Sequence, residues 1–359
     1  MRVVVDVTPL FNPRTGIGNY WVGMLGGLVE AAAAKHEIVA FSVTGPRRRR
    51  SVARALDGLA VQRRLVVVPP SAQTWRTAWS RLGWPPVEWV AGRLDVYHRS
   101  DWMYPRQRDG IRATTIHDLV PLHFPELVAP LTHRMHAASA ADAARRCDVV
   151  FCNARYTAHD VQERLGVPEN RLRVVYPGIH PRFTPDGERR DLGAPYVLAV
   201  GTDEPRKNLE RLLEAHAVLR RRGSELQLVL VGAAGWQARG RAGDGVRALG
   251  YVPDEQLPAL YRGASVYCYP SLFEGFGIPV LEAMACGTPV VSSAHPSLDE
   301  ASGDVAIRAE PTDPEAIADA IERALELPAE TIARGVEHAS RFTWRACGEA
   351  VLAGYESVH

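Results

Sequence analysis

Ser271-Leu-Phe-Glu-Gly-Phe-Gly-Ile-Pro-Val-Leu-Glu282 is the stretch from which the rest of the chain can be read, because it sets one carboxylate on each side of a glycine-rich turn. Before it, Ser265-Val-Tyr-Cys-Tyr-Pro270 has the β-branched and aromatic character of a short buried strand closed by a proline. After it, Pro279 suits the first turn of a helix and Gly287 its end, which predicts a helix over Val280 to Cys286. Gly275 and Gly277 let the backbone approach a ligand closely, and a helix start offers free N–H groups with a partial positive charge. A strand, a glycine turn and a helix in that order make a phosphate site, here flanked by acids. Glu274 before the turn and Glu282 about one helical turn in are placed to grip different hydroxyl groups of one ligand. A sugar nucleotide has both kinds, on a hexose and a ribose joined by a pyrophosphate.

Outward from this stretch the chain alternates apolar strands with helical segments, the pattern of doubly wound parallel sheets. In the first half, strands are predicted at Val3 to Val7, Ile38 to Val43, Leu65 to Val68, Asp95 to His98, Ala113 to Asp118, Asp148 to Cys152 and Leu172 to Tyr176, with helices at Asn19 to Ala34, Thr132 to Arg146 and Ala154 to Leu165. A segment rich in proline and glycine, from Tyr176 to Pro195, marks a domain boundary. A second series follows, with strands at Tyr196 to Gly201, Leu226 to Val231, Val246 to Val252 and Thr288 to Ser293, and helices at Leu209 to Arg222 and Glu255 to Arg262. Helical segments at Pro314 to Leu327, Ala329 to Ser340 and Trp344 to Tyr355 close the chain. A length of 359 residues fits two such domains. Tandem domains of this kind hold their ligand in the cleft between them, outside the carboxyl ends of the strands.

Composition excludes several classes of function. A net charge of +1 exerts no general pull on nucleic acid. Five cysteines, Cys147, Cys152, Cys268, Cys286 and Cys347, form no close pair and leave one over, against a disulfide framework or a zinc site and in favour of a reducing, cytoplasmic compartment. The amino terminus carries Asp6 within its first apolar run and is not expected to be a secretory signal. No run of about 18 apolar residues is present to span a membrane.

Of 42 basic residues only Lys35 and Lys207 are lysine. Lysine differs from arginine as a compact point charge that enters a crowded phosphate site, so Lys207 reads as chosen, with drift toward arginine codons as the bland alternative. It lies in Gly201-Thr-Asp-Glu-Pro-Arg-Lys-Asn208, between a strand and a helix, where Arg206 and Lys207 can neutralise a pyrophosphate and Asn208 can cap the helix; the alternative is a solvated charged turn. Thr15-Gly-Ile-Gly-Asn-Tyr20 offers Gly16 and Gly18 either to a phosphate or simply to a tight turn, since the spacing is not G-x-G-x-x-G. His117, at the end of a strand, is placed to hydrogen-bond a sugar hydroxyl or to bear on proton transfer, unless it is structural. Glu274 and Glu282 also admit an acid and base pair of a hydrolase, against which stands the phosphate turn between them. Arg47 to Arg50 reads as a solvated loop and secondarily as an anchor to an anionic membrane. Trp75, Trp79, Leu82, Trp84 and Trp89 suit a core stripe or a membrane interface.

The run Glu274-Gly-Phe-Gly-Ile-Pro-Val-Leu-Glu282-Ala-Met-Ala-Cys-Gly-Thr-Pro-Val290 closely resembles the E-x7-E signature of the retaining glycosyltransferases of family 4. The resemblance implies an α/β protein of GT-B type, two Rossmann-like domains facing each other across a cleft. An acceptor-binding domain would cover residues 1–178 and a nucleotide-sugar-binding domain 179–342, with a helix over 343–359 packing back on the first. It implies transfer of a hexose from a nucleotide sugar with retention of configuration, with neither metal nor cofactor. Carried over, Glu274 holds donor-sugar hydroxyls, Phe276 and Gly277 supply backbone contacts, and Glu282 binds the ribose diol. Arg206 and Lys207 stabilise the departing diphosphate, Gly16 and Gly18 match the family's glycine loop, and His117 contacts the donor sugar. Thr15 to Tyr20, Ile116 to Pro121 and Gly201 to Asn208 look most like bacterial mannosyltransferases of polysaccharide biosynthesis, which use GDP-mannose and glycan or lipid-linked acceptors, although Asn19 stands where that branch commonly has arginine. Such an enzyme is expected to be cytoplasmic, with peripheral contact at the inner face of the cell membrane. The alternatives are a nucleotide-sugar epimerase or hydrolase on the same twin-domain plan, and a non-catalytic sugar-nucleotide binding protein.

Overall fold

The computed structural model describes residues 1–11, 16–68, 72–100, 104–202, 204–232 and 244–358. Thr15 and Asp203, within two of the motifs above, lie outside the described residues. The chain divides into two compact units, Met1–Gly178 with Thr343–His359, and Ile179–Phe342. Each is a parallel sheet covered by helices, the α/β, Rossmann-like plan expected from the alternating pattern.

In the N-terminal unit the strands are β1 (Arg2–Asp6), β2 (Glu37–Thr44), β3 (Gln62–Val67), β4 (Val96–Arg99), β5 (Ile111–Ile116), β6 (Val149–Cys152) and β7 (Leu172–Val174), ordered β3-β2-β1-β4-β5-β6-β7. In the C-terminal unit β8 (Tyr196–Val200), β9 (Gln227–Val231), β10 (Val246–Gly250), β11 (Val266–Tyr269), β12 (Val290–Ser293) and β13 (Ile307–Ala309) are ordered β10-β9-β8-β11-β12-β13. Val3, Val4 and Val5 are wholly buried, as expected of a strand covered on both faces. Both sheets reverse their winding beside their first strand, between β1 and β4 and between β8 and β11. Loops diverge at such a point and leave a crevice beyond the carboxyl ends of the strands.

The last helix, Trp344–Glu356, presents Cys347, Val351 and Tyr355 to the N-terminal core, one helical turn apart. It crosses the first helix, Gly16–Ala32, so closely that a Cβ on Gly27 would stand 1.7 Å from the Trp344 carbonyl oxygen, and one on Gly348 2.0 Å from the Gly27 carbonyl carbon. Thr343 starts this helix by accepting a hydrogen bond from Ala346 N–H at 3.1 Å.

Three sequence expectations change, and one further strand appears. Arg47 to Arg50 are not in a loop: they form the start of the helix Pro46–Ala55, set off by Pro46 at its first position and anchored by the buried Val52, with Arg48 stacked over Phe11 at 4.2 Å. The strand predicted from Leu65 begins at Gln62, because an exposed edge tolerates the polar Gln62, Arg63 and Arg64. The three-residue edge strand β13 is too short to show a pattern in the sequence. The tryptophan stripe divides: Trp79 is core, its indole N–H donating to the Pro85 carbonyl at 2.8 Å, while Leu82, Trp84 and Trp89 are 73%, 60% and 59% exposed.

Candidate functional site

In the C-terminal unit the chemistry gathers at the crevice between β8 and β11. The loop after β8 carries Arg206 and Lys207 in a 3-10 turn, Pro205–Lys207, and the loop after β11 carries Glu274. Two ties hold the loops together: Leu272 N–H donates to the Arg206 carbonyl at 2.8 Å, and Asn208 Nδ2 donates to the Pro270 carbonyl at 3.0 Å. Asn208 corrects an expectation. It occupies the N-cap position of the helix Leu209–Arg221, but with φ of 57° its side chain makes no cap bond. The left-handed backbone turns the amide away from the helix, toward the carbonyls of Pro270 and Pro311.

Glu274 is 7% exposed and engaged at both oxygens. Lys207 Nζ donates to Oε1 at 2.6 Å and Arg206 Nη1 to Oε2 at 2.8 Å; Lys207 also donates to the Tyr269 hydroxyl at 2.5 Å, and Arg206 Nε to Glu204 at 2.8 Å. Burial alone pushes the Glu274 carboxyl up, but the charges of Lys207 and Arg206 and the Lys207 hydrogen bond outweigh it and bring it down to about 2. Burial in turn lowers Lys207 against the pull of Glu274. Two cations thus share one buried carboxylate while Glu204 also pairs with Arg206, and fixed N–H donors of this kind suit a diphosphate. Ser297 Oγ accepts the Glu274 backbone N–H at 3.0 Å. Tyr269 and Ser297 were not identified from the sequence: Tyr269 reads as strand filler, and Ser297 arrives from a distant turn.

The glycine turn ends at Gly277, whose φ is 106° and where a Cβ would meet Leu298 Cδ2 at 2.5 Å, so both backbone and packing require glycine. Phe276 is buried and packs on Phe342, ring centroids 5.5 Å apart. The helix that follows, Ile278–Ala285, starts two residues before the sequence reading, with Pro279 in its first turn. Glu282 lies on it, accepting the Tyr261 hydroxyl at 3.1 Å. Burial raises its carboxyl to about 7; the Tyr261 hydrogen bond and Arg182 oppose the rise and Asp254 adds to it.

A folded-state pKa raised from 4.5 means that the folded chain holds this proton more tightly than the unfolded one. The stability contribution of Glu282 is therefore fully present below about 4.5 and is lost as the pH rises through about 7. Ligand binding has the opposite sign if the ionised carboxylate accepts both ribose hydroxyls. Affinity for GDP, followed by calorimetry from about pH 6 to about pH 8, is then expected to rise several-fold more in the wild type than in Glu282→Gln, whose remaining slope belongs to the ligand's own phosphate. Equal slopes would exclude a ribose-binding carboxylate.

In the N-terminal unit His117 follows β5, and Asn153 Nδ2 lies 3.0 Å from its Nδ1. Tyr20 meets the His117 ring edge-on at 4.6 Å. His117, Asp118, Thr114, His136 and Ile17 line a small cavity beside it. Gly16 and Gly18 do not form a turn ahead of the helix; they lie in the first turn of Gly16–Ala32. A Cβ at either position would meet nothing within 4 Å, so packing among the described residues does not demand glycine there. Among the described residues no three of His, Cys, Asp or Glu are grouped so as to hold a metal ion, and no helix is long and apolar enough to cross a membrane. All five cysteines are buried free thiols.

Comparison with known proteins bears on the family and the fold. A family profile described as Glycosyltransferase Family 4 matches residues 15–183, and one described as Glycosyl transferases group 1 matches residues 183–342. The chain is 27% identical over 340 residues to O-antigen chain mannosyltransferase B of Escherichia coli, covering 87% of each chain. It is 30% identical over 310 residues to D-inositol 3-phosphate glycosyltransferase of Salinispora arenicola, covering 74% of this chain and 69% of the relative. The solved structure of sucrose-phosphate synthase from Thermosynechococcus elongatus matches with a TM-score of 0.73 at 21% identity, over 99% of this chain and 98% of that one, a likeness of fold.

Proposed function

We propose that this chain, which belongs to the glycosyltransferases of family 4, moves mannose from GDP-mannose to a glycan or lipid-linked acceptor with retention of anomeric configuration. The observation that carries the reading is the grip of Arg206 and Lys207 on Glu274 beside a glycine turn at the crevice of the C-terminal sheet. When the bond between the sugar's anomeric carbon and the phosphate oxygen breaks, negative charge gathers on the diphosphate. Arg206 and Lys207 are fixed cations placed to take up this charge without reorganising, and this reading gives them that role. Glu274 holds hydroxyls of the donor sugar, Phe276 and Gly277 offer backbone to it, and Glu282 takes the ribose. The leaving phosphate oxygen accepts the acceptor's proton on the face from which it departed. Gly16 and Gly18 supply a backbone approach to the donor, and His117 is the N-terminal unit's hydrogen-bonding group in the reaction.

Mannose is favoured because the Escherichia coli relative is named a mannosyltransferase, and a lipid-linked acceptor is supported by the exposed Leu82, Trp84 and Trp89, which suit peripheral contact with a membrane. Calorimetric titration with GDP, UDP and dTDP tests the donor, and binding of GDP in preference to the others is expected. Binding of none would overturn the transferase reading. Mass spectrometry of products from GDP-mannose and a lipid-linked oligosaccharide is expected to show one added hexose; rapid release of free mannose without acceptor would indicate a hydrolase instead.

A further inference from the structure

Asn153 stands immediately after β6, and His117 immediately after the neighbouring β5, whose Ile116 pairs with Cys152. The two side chains therefore leave adjacent strands at the same level. Asn153 is 6% exposed, and its Nδ2 makes the 3.0 Å contact with His117 Nδ1. Its Oδ1 is buried with no hydrogen-bond partner among the described residues. A buried amide kept for stability is expected to satisfy both ends; this one directs its donor at a ring nitrogen and leaves its acceptor unpaired. The aromatic neighbours of His117, Tyr20 at 4.6 Å and 80° and Trp21 at 6.0 Å and 87°, stand nearly perpendicular to its ring.

We propose that Asn153 is the positioning residue of His117: its N–H donates to Nδ1, so the neutral imidazole carries its proton on Nε2 and His117 meets the reacting sugar as a hydrogen-bond donor, not as a base. A neutral imidazole has one donor and one acceptor nitrogen, and the partner of one decides the role of the other. The inference rests on the reading that His117 serves the transfer reaction.

Histidine-labelled full-length protein tests the tautomer directly. Long-range nitrogen–proton correlation spectra, with the His117 signal identified by its loss in His117→Ala, are expected to show the proton on Nε2 in the wild type. In Asn153→Asp, which preserves shape but presents only acceptors, the proton is expected to move to Nδ1. A wild-type proton on Nδ1, or a spectrum unchanged in Asn153→Asp, would overturn the proposal. In turnover of GDP-mannose with a lipid-linked oligosaccharide, Asn153→Ala and Asn153→Asp are expected to lower kcat roughly 10- to 100-fold with little change in donor KM, and to cost nothing further in a His117→Ala background. Turnover unaffected by His117→Ala would remove the underlying reading of His117. A His117-dependent rate that Asn153 variants leave unchanged would sink the Asn153 proposal alone.

Discussion

Glu274→Ala is expected to lower the rate of sugar transfer by at least about 100-fold while leaving the affinity for GDP equal or several-fold tighter. On the proposed reading the two effects separate because Glu274 and a diphosphate would compete for the same cations. In the free protein the carboxylate satisfies Lys207 at 2.6 Å and Arg206 at 2.8 Å. Its removal takes a counter-charge from both cations, which favours an incoming diphosphate although Arg206 keeps Glu204 at 2.8 Å, and on the proposed reading it also deletes the group that holds the sugar in place for reaction. Rates with GDP-mannose and calorimetry with GDP measure the two terms. Unchanged turnover, or loss of GDP binding in parallel with turnover, would contradict the assignment. The variant is also expected to be less stable, because removing one partner of a buried ion pair costs about 3–5 kcal/mol. The pH dependence has a definite sign: a folded-state pKa depressed from 4.5 to about 2 contributes stability that is present above about 4.5 and lost as the pH falls through about 2.

Gly27→Ala is expected to unfold or severely loosen the N-terminal unit without touching any group of the proposed chemistry. A single methyl would need to occupy space 1.7 Å from the Trp344 carbonyl oxygen, and both contacting elements are helix backbone, which does not move aside like a flexible side chain. Overpacking typically costs about 1–3 kcal/mol, and a clash with backbone belongs at or beyond the upper end. For a domain of this size about 3 kcal/mol lowers the melting transition by roughly 6–12 °C. Gly348→Ala, on the opposite helix and 2.0 Å from the Gly27 carbonyl carbon, is expected to behave alike. The exposed glycine Gly58, with φ of 86°, provides a milder comparison, because alanine there suffers backbone strain but meets nothing within 4 Å. A thermal scan in which Gly27→Ala melts with the wild type would show that the helices can separate without loss.

Much of this was legible in the residues. The parallel strands are continuous apolar runs such as Val3-Val4-Val5, and such runs separated by amphipathic segments admit few arrangements. The turn at Gly275 and Gly277 between two glutamates marked the join of strand and helix, and one of only two lysines pointed to the partner of Glu274. Other features left no local trace. The helix over Arg47 to Arg50 looks like a charged loop until Val52 finds the core, and Asn208 looks like a helix cap until its backbone turns left-handed.

The sequence by itself determined the two α/β units, the family, and which residue types sit on the loops that follow the strands, because hydrophobic periodicity and glycine placement are properties of a chain read locally. Only the tertiary structure decided that Glu274 is clamped by Arg206 and Lys207, residues 68 and 67 positions away along the chain. It also decided that Asn153 faces His117 across 36 positions, and that the last helix lies glycine to glycine on the first. These relations depend on strand order and on the direction of single side chains, and strand order is set by the packing of the whole sheet rather than by any one segment within it.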